Sequence, residues 1–261
     1  INIEQDDKVK AFICTQNLRD EDYINAHYVI MATKKGQVKK TSLEQYSRPR
    51  TNGINAITIR EGDELLEAKL TTGESQVMLA LKSGKAIRFE EAKTRPMGRG
   101  ASGVRGVTLR HQDDAVIGMI SVNDMESNIL VVSENGYGKR SSLEDYRITN
   151  RGGKGVKTIS ITEKTGHLVS IKNVTDEDDL MIINKSGIAI RMAVEDLRVM
   201  GRATQGVKLI NLKGNDSIAA VAKVMKEETS EEEVSIVADT ETSENQSNSS
   251  DEQPDSTQIK E

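Results

Sequence analysis

The sequence predicts an all-β domain of the propeller type, because a unit of about 50 residues recurs four times, opens each time with a glycine hairpin, and lacks helical periodicity. The opening segments run from Tyr28 to Gly36, Val77 to Gly84, Asn128 to Gly136, and Asp179 to Gly187. Their turn glycines are 48, 52 and 51 residues apart. Short β-prone runs that end in Lys-Gly, Ser-Gly or Asn-Gly are typical of hairpins whose turn needs a positive φ.

Each unit is then expected to finish with a closing strand pair, so that one repeat makes one four-stranded blade. The closing segments run from Ile57 to Leu70, Val107 to Ile120, Ile159 to Lys172, and Ile210 to Lys223. Residues 1–15 are similar to these segments and are predicted to close an upstream repeat. We therefore place blades at residues 27–72, 76–122, 127–174 and 178–226, within a β-domain fragment that covers residues 1–226.

Composition argues against several other classes of protein. No apolar run approaches the roughly 20 residues of a membrane-spanning helix, and the first residues do not resemble a signal peptide, so we expect a cytoplasmic location without membrane contact. Cys14 is the only cysteine, which excludes an intrachain disulfide, and its neighbours Phe12 and Ile13 predict a buried thiol. The histidines lie at unlike repeat positions, with no ligand spacing or nucleophile pairing: His27, His111 and His167.

Basic residues recur at equivalent positions of the repeats. Four residues after each turn glycine stand Lys40, Arg88, Arg140 and Arg191. A second pattern, Arg-x-x-x-Arg-x-x-x-Gly-Val followed by Lys or Arg, occurs in three repeats. Its members are Arg95, Arg99, Gly103 and Arg105, then Arg147, Arg151, Gly155 and Lys157, then Arg198, Arg202, Gly206 and Lys208. The first repeat departs from this spacing and offers Arg48, Arg50 and Gly53.

Equivalent blade positions lie around one rim, so these columns predict an arc of positive charge that follows a phosphate backbone without reading bases. The glycines would let backbone N–H groups approach phosphate, or would serve turn geometry alone. Two Phe and five Tyr supply few stacking platforms for single strands or RNA, which favours duplex DNA. We also include Lys39, Lys85 and Lys139, which are close to these columns in sequence, in the predicted DNA-binding set. A protein-binding scaffold with incidental charge is the alternative.

The C-terminal segment has the opposite charge. Residues 227–261 contain 12 Asp or Glu and one Lys, a net charge of −11, whereas residues 1–226 carry a net charge of +6. The segment is rich in Ser, Thr, Asn and Gln and nearly free of large apolar groups, so it is expected to be disordered. It would either solubilise the chain or act as an internal DNA mimic that competes for the basic surface.

One motif carries a resemblance to a known family. Asn150-Arg151-Gly152-Gly153-Lys154-Gly155 is similar to the Gln-Arg-Arg-Gly-Gly-Lys-Gly box of the C-terminal domain of gyrase A, a component of DNA gyrase. Residues 136–140 and 200–207 also resemble blade segments of that family. The match departs from the family pattern because it falls in the third complete repeat rather than the first blade, and begins with Asn. The corresponding C-terminal domain of topoisomerase IV, which generally has a degenerate box, is the nearest alternative.

The resemblance implies a β-pinwheel that wraps duplex DNA around its outer basic rim, in support of negative supercoiling by an ATP-dependent gyrase. It adds Gly152, Gly153 and Lys154 to the expected DNA-binding set. It implies the rest of gyrase A together with gyrase B as partners in an A2B2 heterotetramer. The cleavage tyrosine, ATP and Mg²⁺ would belong to other parts of the enzyme, so this part is expected to be non-catalytic and to need no cofactor. The tyrosines would then serve packing: Tyr23, Tyr28, Tyr46, Tyr137 and Tyr146.

Overall fold

The structure, a computed structural model, describes residues 7–48, 50–214 and 216–226 of the 261-residue chain. The acidic segment 227–261, with its predicted disorder, lies outside the described residues, as does the start of the predicted closing segment at residues 1–6. The described α-helical structure is a six-residue helix, α1 (Glu21–Ala26), whose N-cap Asp20 accepts a hydrogen bond from the backbone N–H of Tyr23.

The described residues contain fifteen strands, numbered here in chain order. The first repeat holds β1 (Tyr28–Thr33), β2 (Gln37–Ser42) and β3 (Leu65–Thr71). The second holds β4 (Gln76–Leu81), β5 (Lys85–Glu90), β6 (Val104–Arg105) and β7 (Val116–Val122). The third holds β8 (Asn128–Ser133), β9 (Tyr137–Ser142), β10 (Val156–Lys157) and β11 (Leu168–Val174). The fourth holds β12 (Asp178–Asn184), β13 (Ala189–Ala193), β14 (Val207–Lys208) and β15 (Ile218–Met225). Short 3-10 helices follow β2, β5 and β9 at Leu43–Tyr46, Glu91–Lys93 and Leu143–Asp145.

The opening hairpin of every repeat forms as predicted. β1 pairs with β2, β4 with β5, β8 with β9 and β12 with β13, all antiparallel. The turn glycines have positive φ, from 76° at Gly84 to 88° at Gly187. At Gly84 a Cβ atom would also lie 2.9 Å from the carbonyl oxygen of Ile159, so both the turn and the neighbouring blade exclude a side chain there.

The fourth strand of a sheet comes from the next repeat. The sheets have the orders β3-β1-β2-β6, β7-β4-β5-β10, β11-β8-β9-β14 and β15-β12-β13. The prediction that a closing strand pair completes each blade within one repeat is therefore wrong. Residues 57–59, 107–109, 159–161 and 210–212 form no strand, and two-residue segments just before the last three of these pair with the preceding sheet instead.

The N-terminal segment also differs from expectation. Residues 7–15 form no strand, because each closing strand pairs with the first strand of its own repeat and no such strand precedes residue 7 in the described chain. Without a sheet around it, Phe12 is 84% exposed and Cys14 is exposed. The predicted burial of the Cys14 thiol is therefore wrong.

The core lies between consecutive blades. Leu79 of β4 joins Ile30 and Val38 of the first blade in one cluster, whereas the adjacent Met78 joins Ile129 of the third blade in another. Successive side chains of one strand thus serve two interfaces, which explains the uninterrupted apolar runs. The closing strands β3, β7, β11 and β15 contact one another in succession. They form the inner edges of the sheets, and β6, β10 and β14 form the opposite, outer edges.

Candidate nucleic-acid interface

Three loops run along the outer edges, at residues 95–103, 147–155 and 198–206. Each lies beside the second strand of the preceding blade and ends in the donated strand β6, β10 or β14. Backbone hydrogen bonds fix all three loops to the preceding blade at the equivalent residue. The N–H groups of Met97, Thr149 and Met200 donate to the carbonyls of Lys40, Arg88 and Arg140 at 2.8, 2.9 and 2.8 Å. The structure therefore places the second basic pattern at equivalent positions on three consecutive outer edges.

Six side chains of this pattern are exposed and have no hydrogen bond or ion pair with the described residues. They are Arg95, Arg105, Arg147, Lys157, Arg198 and Lys208, called here the basic edge. Lys154, Arg48 and Arg50 are likewise exposed and without such partners. Unneutralised charge thus recurs at regular intervals from blade to blade, the arrangement that attracts a polyanion.

The second arginine of the pattern is tied to the preceding loop. Arg151 donates from Nε to the carbonyl of Lys93 at 3.0 Å and from Nη1 to that of Arg105 at 3.2 Å. Arg202 donates from Nη1 to the carbonyl of Lys157 at 2.8 Å. A guanidinium has five N–H donors, so Arg151 keeps three for an anion while its plane is held. Arg99, the third member of this column, is partly buried and accepts at its carbonyl a hydrogen bond from Lys39.

The glycines of the pattern allow close contact with the preceding blade. A Cβ atom would lie 2.5 Å from the carbonyl oxygen of Val38 at Gly103 and 2.7 Å from that of Ala86 at Gly155, and both glycines have positive φ. Gly206 lies equally close to the carbonyl of Gly138. The geometry supports strand donation as their role rather than phosphate approach.

The box at residues 150–155 is held by backbone contacts. The N–H of Gly152 donates to the carbonyl of Gly106 at 2.6 Å, and that of Thr108 donates to the carbonyl of Gly153 at 2.9 Å. The Gly152 N–H is thus already occupied and is not free for phosphate. Lys154, between these glycines and Gly155, has an exposed side chain without a partner among the described residues.

The first basic column is mostly internal, so its predicted exposed arc is wrong. Lys40, Arg88 and Arg140 are only 5%, 7% and 7% exposed. Each links its blade to the next. Arg88 donates from Nη1 to the carbonyls of Leu143 and Tyr146 at 2.7 and 3.0 Å, Arg140 donates to the carbonyl of Leu197 and to Asp176, and Lys40 lies 3.6 Å from the buried Glu91.

The recurrence in this column has a simple cause. At Arg88 and Arg140, the turn after the second strand of the next blade presents backbone carbonyls that the guanidinium satisfies, and at Lys40 the side-chain carboxylate of Glu91 takes their place. The fourth member, Arg191, pairs with Asp179 at 2.7 Å within the last sheet. The sequence held a signal for this burial, because Lys39 and Lys40 stand opposite Met31 and Ile30 in a hairpin whose first strand is apolar.

Two lysines next to this column are also internal. Lys39 and Lys139 are 0% and 1% exposed, so the predicted direct contact of both with DNA is wrong. Lys39 donates from Nζ to the carbonyls of Ala56 (2.6 Å) and Arg99, and Lys139 donates to that of Gly201 at 2.6 Å. Burial lowers the pKa of each to about 8, with a further lowering by Arg99 at Lys39 and by Arg202 and Lys157 at Lys139, opposed there by Asp145. Lys85 is partly buried opposite Lys157 of β10.

Two of the tyrosines have structural roles within their blades. Tyr146 is buried, with its hydroxyl bonded to that of Thr158, and the Tyr46 hydroxyl donates to the carbonyl of Ala56 at 3.1 Å. Within the described residues no group of three or more His, Cys, Asp or Glu could hold a metal ion. Among the described residues, no helix is long and apolar enough to cross a membrane.

Comparison with known proteins gives one consistent family. The family described as DNA gyrase C-terminal domain, beta-propeller, matches residues 27–72, 77–123, 127–175 and 178–225. The gyrase A protein of Staphylococcus aureus (strain MRSA252), a component of DNA gyrase, is 42% identical over 241 residues, which cover 92% of this chain and 27% of that protein. The chain thus spans about a quarter of the length of this relative.

Solved structures agree on the fold. The C-terminal domain of DNA gyrase A superposes with a TM-score of 0.75 at 24% identity, over 86% of this chain and 73% of that one. The C-terminal domain of DNA topoisomerase IV gives a TM-score of 0.74 at 22% identity, over 85% and 69%. The family match covers all four repeats, and the chain therefore belongs to the DNA gyrase C-terminal domain family of β-propellers.

Proposed function

We propose that this chain binds duplex DNA along the basic edge and bends it around the consecutive outer edges of its blades. The observation that carries the proposal is the exposure, at equivalent positions of three blades, of Arg and Lys side chains without partners among the described residues. Cations that recur in this way match the regular phosphate backbone and bind it through counterion release. A rigid series of blades that holds them favours a bent path, since bending 20 to 30 base pairs by 40 to 90° costs roughly 1 to 6 kcal/mol.

The chemistry of the edge favours a duplex over other ligands. The outer loops at residues 95–103, 147–155 and 198–206 contain no aromatic side chain on which unpaired bases could stack. Their backbone N–H groups described above are bonded within the protein, which leaves side-chain charge as the main attraction. Contacts of this kind position a duplex without reading its sequence.

Within a whole enzyme, this domain would deliver wrapped DNA to a gyrase and support ATP-dependent negative supercoiling. The 42% identity with a gyrase A protein and the box at residues 150–155 support gyrase. The topoisomerase IV fold fits almost as well, and that enzyme is the second candidate. The partners would be the rest of gyrase A and gyrase B in an A2B2 heterotetramer. Cleavage, ATP and Mg²⁺ would belong to those other parts, in the cytoplasm, and this chain would be non-catalytic.

A salt titration of DNA affinity tests the proposal. Six neutralised phosphates predict a log-log slope against salt of about −5, from about −0.9 per phosphate. Replacing Arg95, Arg147 and Arg198 together by Ala should weaken binding and make the slope shallower by about 2.7. A control of equal charge replaces Lys69, Lys172 and Lys223, which lie on the inner strands β3, β11 and β15, and should leave the slope unchanged. Two of these lysines already pair with carboxylates, Lys69 with Glu67 and Lys223 with Asp178. Equal effects of the two triple variants would contradict an outer-edge site, and salt-independent binding would indicate a protein-binding scaffold.

A further inference from the structure

The outer loops expose an aliphatic side chain at an equivalent place in three blades. Ile148 and Val199 are 47% and 50% exposed, and Pro96 at the same position of the second repeat is also exposed. Each follows directly on the first arginine of the basic pattern and precedes the second by three residues. These three side chains are exposed to water in the free protein and would be covered only if a ligand bound along the basic edge.

The backbone holds these residues rigidly. Pro96, Ile148 and Val199 form parallel bridges with Lys40, Arg88 and Arg140. Those three basic residues are themselves buried, and Arg88 and Arg140 are bonded to the following blade. Within each outer loop, the bridge to the second strand of the preceding blade therefore fixes the backbone at the aliphatic residue, so the side chain stays on the outer edge.

The charge around them selects the occupant. An exposed Arg precedes each aliphatic residue, and Arg99, Arg151 or Arg202 follows it, so an approaching partner must be acidic on both sides and apolar between. A duplex meets this description where its minor groove faces the protein, since the phosphates flank sugar edges that are largely C–H surface. Proteins that bend DNA through the minor groove place aliphatic side chains in it, Pro and Ile among them, usually as wedges between base steps.

We infer that Pro96, Ile148 and Val199 contact DNA themselves, packing against the deoxyribose walls of the minor groove between phosphates held by the flanking arginines. This inference rests on the proposed function and adds an apolar component to an otherwise electrostatic site. The cations hold the duplex to the edge, and the aliphatic side chains favour the opened, bent form of each groove segment that faces a blade.

The test combines Ile148→Ser and Val199→Ser in the full chain. Serine removes the apolar contact and leaves the backbone hydrogen bonds of the loop in place. The matched control is Ile59→Ser with Ile188→Ser, two residues 38% and 56% exposed outside the three outer loops. Affinity for a linear duplex is measured at several salt concentrations, and bending is followed by energy transfer between dyes at the duplex ends.

We expect the double variant to bind about five- to tenfold more weakly at every salt concentration, from the apolar area left uncovered, with the salt slope unchanged and bending reduced. The control should match the parent chain. Unchanged affinity and bending would overturn the inference while leaving the proposed function intact. A shallower slope would also overturn it, because the aliphatic residues would then act only by positioning the arginines. If the parent chain itself fails to bind, the proposed function fails first.

Discussion

Arg88→Met tests whether the first basic column holds the blades together rather than DNA. The guanidinium of Arg88 donates to Gln76 at 2.6 Å and to the carbonyls of Leu143 and Tyr146 at 2.7 and 3.0 Å, and the residue is 7% exposed. Met fills much of the same volume but leaves these buried acceptors unpaired. Each buried acceptor left unsatisfied costs about 1–3 kcal/mol.

An opposing effect reduces this cost. Burial lowers the pKa of the Arg88 guanidinium, so the charge is destabilised where it lies and its removal recovers part of the loss. The net expectation is a decrease of about 2–4 kcal/mol in the free energy of unfolding. Because Arg88 links the second blade to the third, we expect the loss to appear as earlier, less cooperative unfolding.

The free energy of unfolding in urea is measured for Arg88→Met and, as a comparison, for Arg95→Met. Arg95 is exposed, so its change should alter stability by less than about 0.5 kcal/mol while making the salt slope of DNA binding shallower by about 0.9. Arg88→Met should show the reverse pattern, with reduced stability and a preserved slope. A stable Arg88→Met chain with a shallower slope would refute the interpretation of the column as an inter-blade link.

Other consequences can be tested in the same way. Lys139, whose pKa is lowered to about 8 from its usual 10.5, is more readily protonated in the unfolded chain, so the stability of the parent chain relative to Lys139→Met should rise between about pH 8 and pH 10.5 in pH-dependent urea unfolding. Gly155→Ala should destabilise the fold by about 2–4 kcal/mol through its positive φ and the Ala86 carbonyl, whereas Gly98→Ala, with open space around it, should change the melting temperature little. Arg151→Ala with Lys154→Ala should reduce wrapping and supercoiling by the full enzyme while far-ultraviolet circular dichroism stays unchanged, and unchanged supercoiling would remove the box from the site. Deleting residues 227–261, with their net charge of −11, should tighten DNA binding at low salt, and identical binding curves would leave that segment a solubilising role.

The fold was largely predictable because its signals are local. Glycine turns such as Gly36 and Gly136 need a positive φ, and the apolar runs beside them identify the hairpins. Strand donation was not predictable, because a two-residue strand such as Val104–Arg105 has no periodicity and is defined by its partner in another repeat. The same reason explains the error over residues 7–15, where a strand-like sequence has no strand to pair with in the described chain.

The placement of the candidate interface residues was predicted in part. The recurring Arg-x-x-x-Arg pattern lies on the outer edges, where Arg95, Arg147 and Arg198 are exposed. Recurrence alone could not separate these residues from Arg88 and Arg140, since both columns repeat equally well in sequence. Arg88 and Arg140 differ because each lies next to backbone carbonyls of the next blade and donates hydrogen bonds to them. The position of these carbonyls depends on how the repeats pack. The aliphatic residues of the edge were missed because a single Ile or Val has no distinctive meaning until its exposure is known.

Wrapping of duplex DNA around the outer edge, with a fixed hand, would change the topology of a closed circle. The most direct test binds the chain to relaxed circular plasmid, relaxes the complex again with a type I topoisomerase, and resolves the linking number at several salt concentrations. We predict a linking-number shift that grows with the amount of protein and disappears as salt is raised. Saturating binding at low salt with an unchanged linking number would contradict chiral wrapping by this chain.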